Sequence, residues 1–438
     1  MERQMTTELR KIISNPEGVD DIFEHDRVLH FKVSLKDLKD FVSIPWYISW
    51  YRSSESRKIF PPVLQEMTDL NPDFTNIKKL FPGFNPFFVH LEFLQYYIAL
   101  KDGKKVGRIA AIIDNNYREK KFEGKVGIIS LFEAEDEETG KILIKEAVED
   151  LKKHGALKIV GPMRFNATGE AGLLIQGFEI KPMPMEPYNP PYYKEIFDQF
   201  GEKENDWYSF LADFETVGPY IDRISNFTRN GESLEDFIFN NGIRIRNVTL
   251  KNFDEEAEKV KHVYNLAWDT IEHPQFEKFT DAEFRYIANS LKTALVPDFI
   301  FLVEEESSGN CTPIGISVTI PNINEVIEKV DNRYYRNFIP SGNPLSLKDV
   351  LRDLRILKEL KSTIKNSTFK TARIYILGTL KKKKGIDAIL YKRTFENGLK
   401  YNLAYSSASQ VADTNLNMVN PLVRMGKTGF VWRVYRLR

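Results

Sequence analysis

Asn189-Pro-Pro-Tyr-Tyr-Lys-Glu-Ile-Phe-Asp-Gln-Phe-Gly201 and Asn415-Leu-Asn-Met-Val-Asn-Pro-Leu-Val-Arg-Met-Gly426 are the two stretches whose comparison decides the fold. Each opens on an asparagine, carries apolar residues at helical spacing, stops at a glycine and runs into an aromatic segment of strand character. The residues before them also match in kind. Val126 to Phe132 and Arg373 to Leu380 read as strands, followed by helical patterns at Gly140 to His154 and Ile386 to Lys400. Further upstream, Leu94 to Ile113 folds back on Asp102-Gly103, and Phe299 to Ile320 folds back on Ser307-Ser-Gly-Asn310. The order strand, helical excursion, hairpin, strand, helix, strand, helix, strand therefore occurs twice. It predicts an α/β (α+β) protein of two tandem domains, residues 1–217 and 218–438. Each is expected to hold a mixed, mostly antiparallel sheet flanked by helices. The boundary is expected within Glu215 to Gly242, and a helical insertion near 321–370 contains a basic amphipathic helix at about 347–364.

At 438 residues the chain is too long for one ordinary core, which agrees with two domains. Lys plus Arg and Asp plus Glu number 62 each, a balance that argues against broad DNA binding. The single cysteine, Cys311, rules out an intrachain disulfide, and six scattered histidines predict no metal site. The polar N-terminus lacks the apolar core of a signal peptide, and no apolar run is long enough to insert in a membrane. A cytoplasmic location is expected by elimination, with a homodimer left open.

Two regions carry candidate chemistry. The first is Leu380-Lys-Lys-Lys-Lys-Gly385-Ile-Asp-Ala388, where a basic, glycine-containing turn leads from a strand into a helix. Unpaired N–H groups and the helix dipole there suit a pyrophosphate. The second is the block from Arg164 to Tyr193, where Pro and Gly fix a backbone that presents Arg164, Asn166, Glu170, Tyr188, Asn189 and Tyr192. Arg164 is a clamp for an anion and Glu170 a base or amine holder, weighed against a plain structural ion pair between them.

The strand–basic turn–helix–strand–helix order resembles the GCN5-related N-acetyltransferase (GNAT) superfamily. Blocks such as Gly161-Pro-Met-Arg-Phe-Asn166, Pro187-Tyr-Asn-Pro-Pro-Tyr-Tyr193 and Gly385-Ile-Asp-Ala-Ile-Leu-Tyr391 are similar to bacterial tandem-GNAT proteins over about residues 28–438. The resemblance implies transfer of an acyl group from acetyl-CoA or another acyl-CoA to an amine of a small molecule or peptide, with the pantetheine between two splayed strands. It places the cofactor on Lys382, Lys383, Lys384, Gly385, Ile386, Asp387, Ala388 and Asn415. Two departures stand out. The tyrosine acid expected four residues before the closing glycine is Leu422 in one half and Phe197 in the other, which leaves Tyr405 or water as proton source. The corresponding turn of the first half, Phe132-Glu-Ala-Glu-Asp-Glu-Glu138, would repel a phosphate. A non-catalytic binder of GNAT fold is the alternative. A ligase taking aminoacyl-tRNA is a third reading, disfavoured by the zero net charge.

Overall fold

The computed structural model describes residues 7–19, 28–73, 85–117, 119, 122–270, 272–307, 309–335, 346–380 and 385–438. The first half contains β1 (Thr7–Lys11), β2 (Ser14–Val19), β3 (Val28–Lys32), α1 (Leu35–Ser43), α2 (Val63–Asp69), β4 (Leu91–Lys101), β5 (Lys104–Asp114), β6 (Val126–Ala134), α3 (Glu137–Lys153), β7 (Lys158–Arg164), β8 (Asn166–Ala171), β9 (Leu173–Gln176), α4 (Tyr193–Phe200) and β10 (Gly201–Asp213). The second continues with α5 (Phe214–Asn226), β11 (Thr228–Arg229), β12 (Glu232–Ser233), α6 (Leu234–Asn240), β13 (Ile243–Asn247), α7 (Phe253–Ala267), α8 (Asp281–Leu291), β14 (Ile300–Ser307), β15 (Asn310–Pro321), α9 (Ile323–Tyr334) and α10 (Leu347–Lys365). It closes with β16 (Thr371–Thr379), α11 (Ile386–Lys400), β17 (Tyr405–Ala412), α12 (Leu416–Met425) and β18 (Lys427–Leu437).

The local signals act as the sequence predicts. Ser34 caps α1, Thr280 and Glu283 close a capping box on α8, and Asp102-Gly103 turns the first hairpin with both φ values positive. Three features differ. The block after Arg164 forms the short strands β8 and β9, whose signal is masked by its Gly and Pro content. The stretch expected to link the halves is largely ordered, because Asp213 caps α5 and Pro219 sits within that helix. The insertion holds two helices, since α9 precedes α10.

One sheet runs through the molecule in the order β1-β4-β5-β6-β7-β18-β10-β17-β16-β15-β14-β13. That order is a palindrome of equivalent strands about the β18–β10 pair. The last strand of the second half lies against β7 of the first, and the last strand of the first half lies against β17 of the second. Each half therefore finishes its sheet with the other half's strand. β10 and β18 run antiparallel from Gly201 opposite Leu437 to Leu211 opposite Lys427, and they bury Phe210, Phe430, Trp432 and Tyr435. Without the exchange, β7 and β17 would each present an open edge.

In each half the two central strands pair in parallel and then part. The β16–β17 ladder runs from Thr371/Tyr405 to Ile374/Ala408, and the β6–β7 ladder from Val126/Lys158 to Ser130/Met163. Just where β16 leaves β17, Tyr375 is the extra residue of a bulge, because Ile374 and Ile376 pair with Thr319 and Val318. These are the splayed pairs expected from the resemblance.

Candidate functional site

A cavity of about 350 Å³ opens at the splay of the first half and reaches the second through Ile287, Leu291, Ile323 and Tyr375. Its outer wall is the segment from Trp46 to Asp69. Tyr51 fastens that wall to the sheet by donating to Glu133 Oε2 at 2.7 Å. The apolar lining includes Trp46, Phe60, Phe87, Leu131, Met163 and Ile327.

A part-buried charged ladder crosses this cavity. Arg164, at the end of β7, donates from Nη2 to Glu66 Oε1 at 2.7 Å and lies 3.6 Å from Asp69 Oδ2. Glu66 and Asp69 sit three residues apart on α2, so one helical face presents both carboxylates. Tyr286, on α8 of the second half, donates its hydroxyl to Asp69 Oδ1 at 2.5 Å. Burial pushes Glu66 up, but the Arg164 charge and hydrogen bond outweigh it and leave the carboxyl below its usual value. Asp69 goes the other way. Burial is the largest cause; Arg164 opposes it, the neighbouring Glu66 charge adds to it, and the carboxyl is raised to about 6. On the other side, Arg108 is buried on β5, donates to the Phe41 carbonyl at 3.1 Å, and lies in the field of Glu133 and Glu66.

Of the residues picked from the sequence, Arg164, Glu170, Tyr188 and Asn189 line this cavity. Arg164 pairs with Glu66 rather than with Glu170, because α2 carries its carboxylates onto the guanidinium. Glu170 acts on both Arg164 and Asp69 through its charge. Tyr188 donates to the Phe178 carbonyl at 2.6 Å and accepts from Arg57 N–H. Asn189 spends both amide donors on the Leu174 and Pro190 carbonyls and accepts from Leu174 N–H. Tyr192 donates to the Ala134 carbonyl at 2.6 Å and lies outside the cavity lining. These three side chains are occupied by hydrogen bonds to the backbone. Asn166 belongs to β8, and its side chain lies outside the described residues. Sequence reading missed Glu66, Asp69, Arg108 and Tyr286. The i, i+3 acid pair on α2 was the available signal, but nothing in the linear pattern aims it at Arg164.

In the second half a cavity of about 60 Å³ lies in the β16–β17 splay, lined by Trp207, Trp268, His273, Arg373, Tyr375 and Gln410. Tyr375 lines both this cavity and the main one. The floor is held by Arg373, which donates to Ser409 O and Oγ, and by Glu186, which accepts from the Ser407 and Ser409 hydroxyls. Asn415 precedes α12, is buried, and stands 3.5 Å from His273 Nε2. Tyr405 begins β17 opposite Thr371 and lines none of these cavities. Burial, then the Glu325 and Glu186 charges, raise its phenol, which weakens it as an acid.

The two helix starts that could receive a pyrophosphate differ. α3 is capped by Asp136, whose carboxylate accepts Thr139 N–H at 2.8 Å, and Glu137 and Glu138 follow. α11 starts at Gly385, φ +77°, with no side-chain cap; Ile386 is buried, Ala388 half-buried and Asp387 exposed in its first turn. Lys382, Lys383 and Lys384 lie outside the described residues. At the ends of α4 and α12, Gly201 and Gly426 donate to Phe197 and Leu422, the two residues at the expected acid position, and both side chains are buried.

No protein-family model matches the chain. It is 26% identical to a bacterial ceramide synthase of Caulobacter vibrioides over 411 residues, 91% of this chain and 94% of that protein. It is 30% identical to the protein YghO of Escherichia coli over 247 residues, 55% of this chain and 58% of that protein. Among solved structures, a tandem GNAT protein from the clavulanic acid pathway covers 98% of both chains at a TM-score of 0.47 and 10% identity. In its mixed sheet, doubled and parted at two splays, the chain resembles the GNAT superfamily.

Proposed function

We propose that the protein is an acyl-CoA-dependent N-acyltransferase whose acceptor amine binds at Asp69 in the main cavity. The observation that carries this reading is the part-buried Asp69 carboxylate, raised to about 6, facing a cavity that continues to the splayed strand of the second half. Glu66, Asp69, Glu133, Glu170 and Glu186 outnumber Lys58, Arg108 and Arg164 around the cavity, a field that attracts an ammonium. The aromatic and aliphatic remainder of the wall suits a hydrocarbon tail. The similarity to a ceramide synthase supports the same class, since a ceramide is the amide of a long-chain amino alcohol and a fatty acid.

In the proposed step Asp69 takes the proton from the acceptor ammonium. The amine nitrogen attacks the thioester carbonyl, the new C–N bond forms and the C–S bond breaks; the proton still on the nitrogen passes through water to the departing thiolate, so that amide and CoA thiol leave and Asp69 returns its proton to solvent. Arg164 and Tyr286 hold the Asp69 carboxylate in place. The donor's pyrophosphate is assigned to Lys382, Lys383 and Lys384 and to the first N–H groups of α11, with Asn415 beside the pantetheine. The Asp136 cap makes α3 unfit for the same task.

The test is amide formation and CoA release on mixing the purified protein with acyl-CoAs of short and long chain and a long-chain amine. Product with wild type but not with Asp69→Asn supports the reading. Charge reversal at Lys382 and Lys383 tests the donor site better than a change at Gly385, where a Cβ would meet Leu234 Cδ1 at 2.8 Å. The buried Leu422 and Phe197 favour a second reading, a binder without transfer. That reading predicts calorimetric heat with acyl-CoA and no CoA release.

A further inference from the structure

The acyl-transfer reading leaves α10 unexplained. One face of this helix is built into the protein. Asp349, Arg352, Ile356 and Thr363 are buried, and Arg352 donates to Asp331 at 2.7 Å, to the Phe60 carbonyl at 2.7 Å and to the Pro61 carbonyl at 3.2 Å. The other face is open. Leu347 is 72% exposed, Leu354 56% and Leu357 41%, with Val350 and Leu351 between them, a stripe at i, i+3, i+4, i+7 and i+10. Tyr334 on α9 and Leu64 on α2 add exposed apolar surface, and Leu64 is tied to the helix through its N–H to Asp353 at 3.0 Å.

The charges of α10 differ in exposure by sign. Lys348, Arg355, Lys358, Lys361 and Lys365 are exposed, while Asp349, Asp353 and Glu359 turn inward or sit half-buried. A helix with an open apolar stripe whose fully exposed charges are all cations matches the chemistry of an anionic lipid surface.

We propose that α10 seats the protein on an anionic phospholipid surface. Leu347, Val350, Leu351 and Leu354 dip below the headgroups, while Lys358, Lys361 and Lys365 meet the phosphates. This is a seat, not a span: among the described residues no helix is long and apolar enough to cross a membrane. The seat adjoins the main cavity, because the Phe60 and Pro61 carbonyls that Arg352 holds belong to the cavity wall and Ile356 packs against Ile327 of the lining. A lipid-borne amine would therefore have a short path from the bilayer to Asp69. The seat itself stands without the acyl-transfer reading.

Co-sedimentation of the full chain with phosphatidylglycerol/phosphatidylcholine vesicles, and with pure phosphatidylcholine, tests it. Wild type is expected to bind the anionic vesicles at least about tenfold more tightly and to be released by salt. Leu351→Glu/Leu354→Glu is expected to lose at least about tenfold in vesicle affinity, and Lys358→Glu/Lys361→Glu/Lys365→Glu to lose the preference for anionic lipid, both with unchanged melting. Absence of wild-type binding at low salt, or variants that bind like wild type, would overturn the proposal. So would vesicle-independent dimers that the Leu351→Glu/Leu354→Glu change dissociates.

Discussion

Asp69 is where a single proton links stability to the proposed chemistry. Its carboxyl rises from the usual 3.8 to about 6 on folding, so between those values the native chain binds more protons than the unfolded one. Stability from this group is then present below pH 4 and lost as pH rises through about 6. Asp69→Asn removes that loss. We expect the variant to be about 1–3 kcal/mol more stable than wild type at pH 8, with no gain at pH 4, by urea unfolding. Acyl transfer should instead fall about 10²–10⁴-fold, and in wild type it should rise with pH through about 6. A variant both inactive and stabilised is the signature of a site that gives up stability for a poised base. Arg164 makes the converse case. Arg164→Ala leaves the buried Glu66 unpaired and is expected to cost about 3–5 kcal/mol, much of it recovered when Glu66 is also made Gln.

The exchanged strands make two glycines indispensable. A Cβ at Gly201 would stand 2.6 Å from the Arg436 carbonyl oxygen, and one at Gly426 would stand 2.5 Å from that of Leu211. Each marks the point where one exchanged strand starts against the backbone of the other. Either glycine changed to Ala is expected to cost about 1–3 kcal/mol, seen as a lowered urea midpoint, by forcing that backbone apart. These glycines were readable in the sequence as the ends of α4 and α12, because helix periodicity followed by glycine is a local signal. The hairpins, the caps of α1 and α8 and the helix α3 were readable for the same reason. The partner of each final strand was not, since β10 and β18 alternate alike whichever sheet receives them. The site divided in the same way: Arg164 and Glu170 stood out in a rigid block, whereas Glu66, Asp69 and Tyr286 meet only through tertiary packing.

At the scale of the molecule, the palindromic sheet predicts that neither half is complete alone. Fragments cut after Asn226 are expected to be insoluble singly and to recover a folded complex when co-expressed, and the intact chain to unfold in one calorimetric transition. Two separate transitions would contradict this sheet. The same architecture divides the proposed labour. The first half has a self-capped α3 and an acid-lined cavity, the second has an uncapped α11 and a splay at Tyr375, and the proposed transfer would draw on both. The most direct test is mass-spectrometric detection of an N-acyl product from a long-chain amine and acyl-CoA, comparing wild type with Asp69→Asn. The account predicts amide and stoichiometric free CoA with wild type and a loss of at least about a hundredfold in rate with the variant. Undiminished turnover by Asp69→Asn, or no amide from wild type with any chain length, would contradict it.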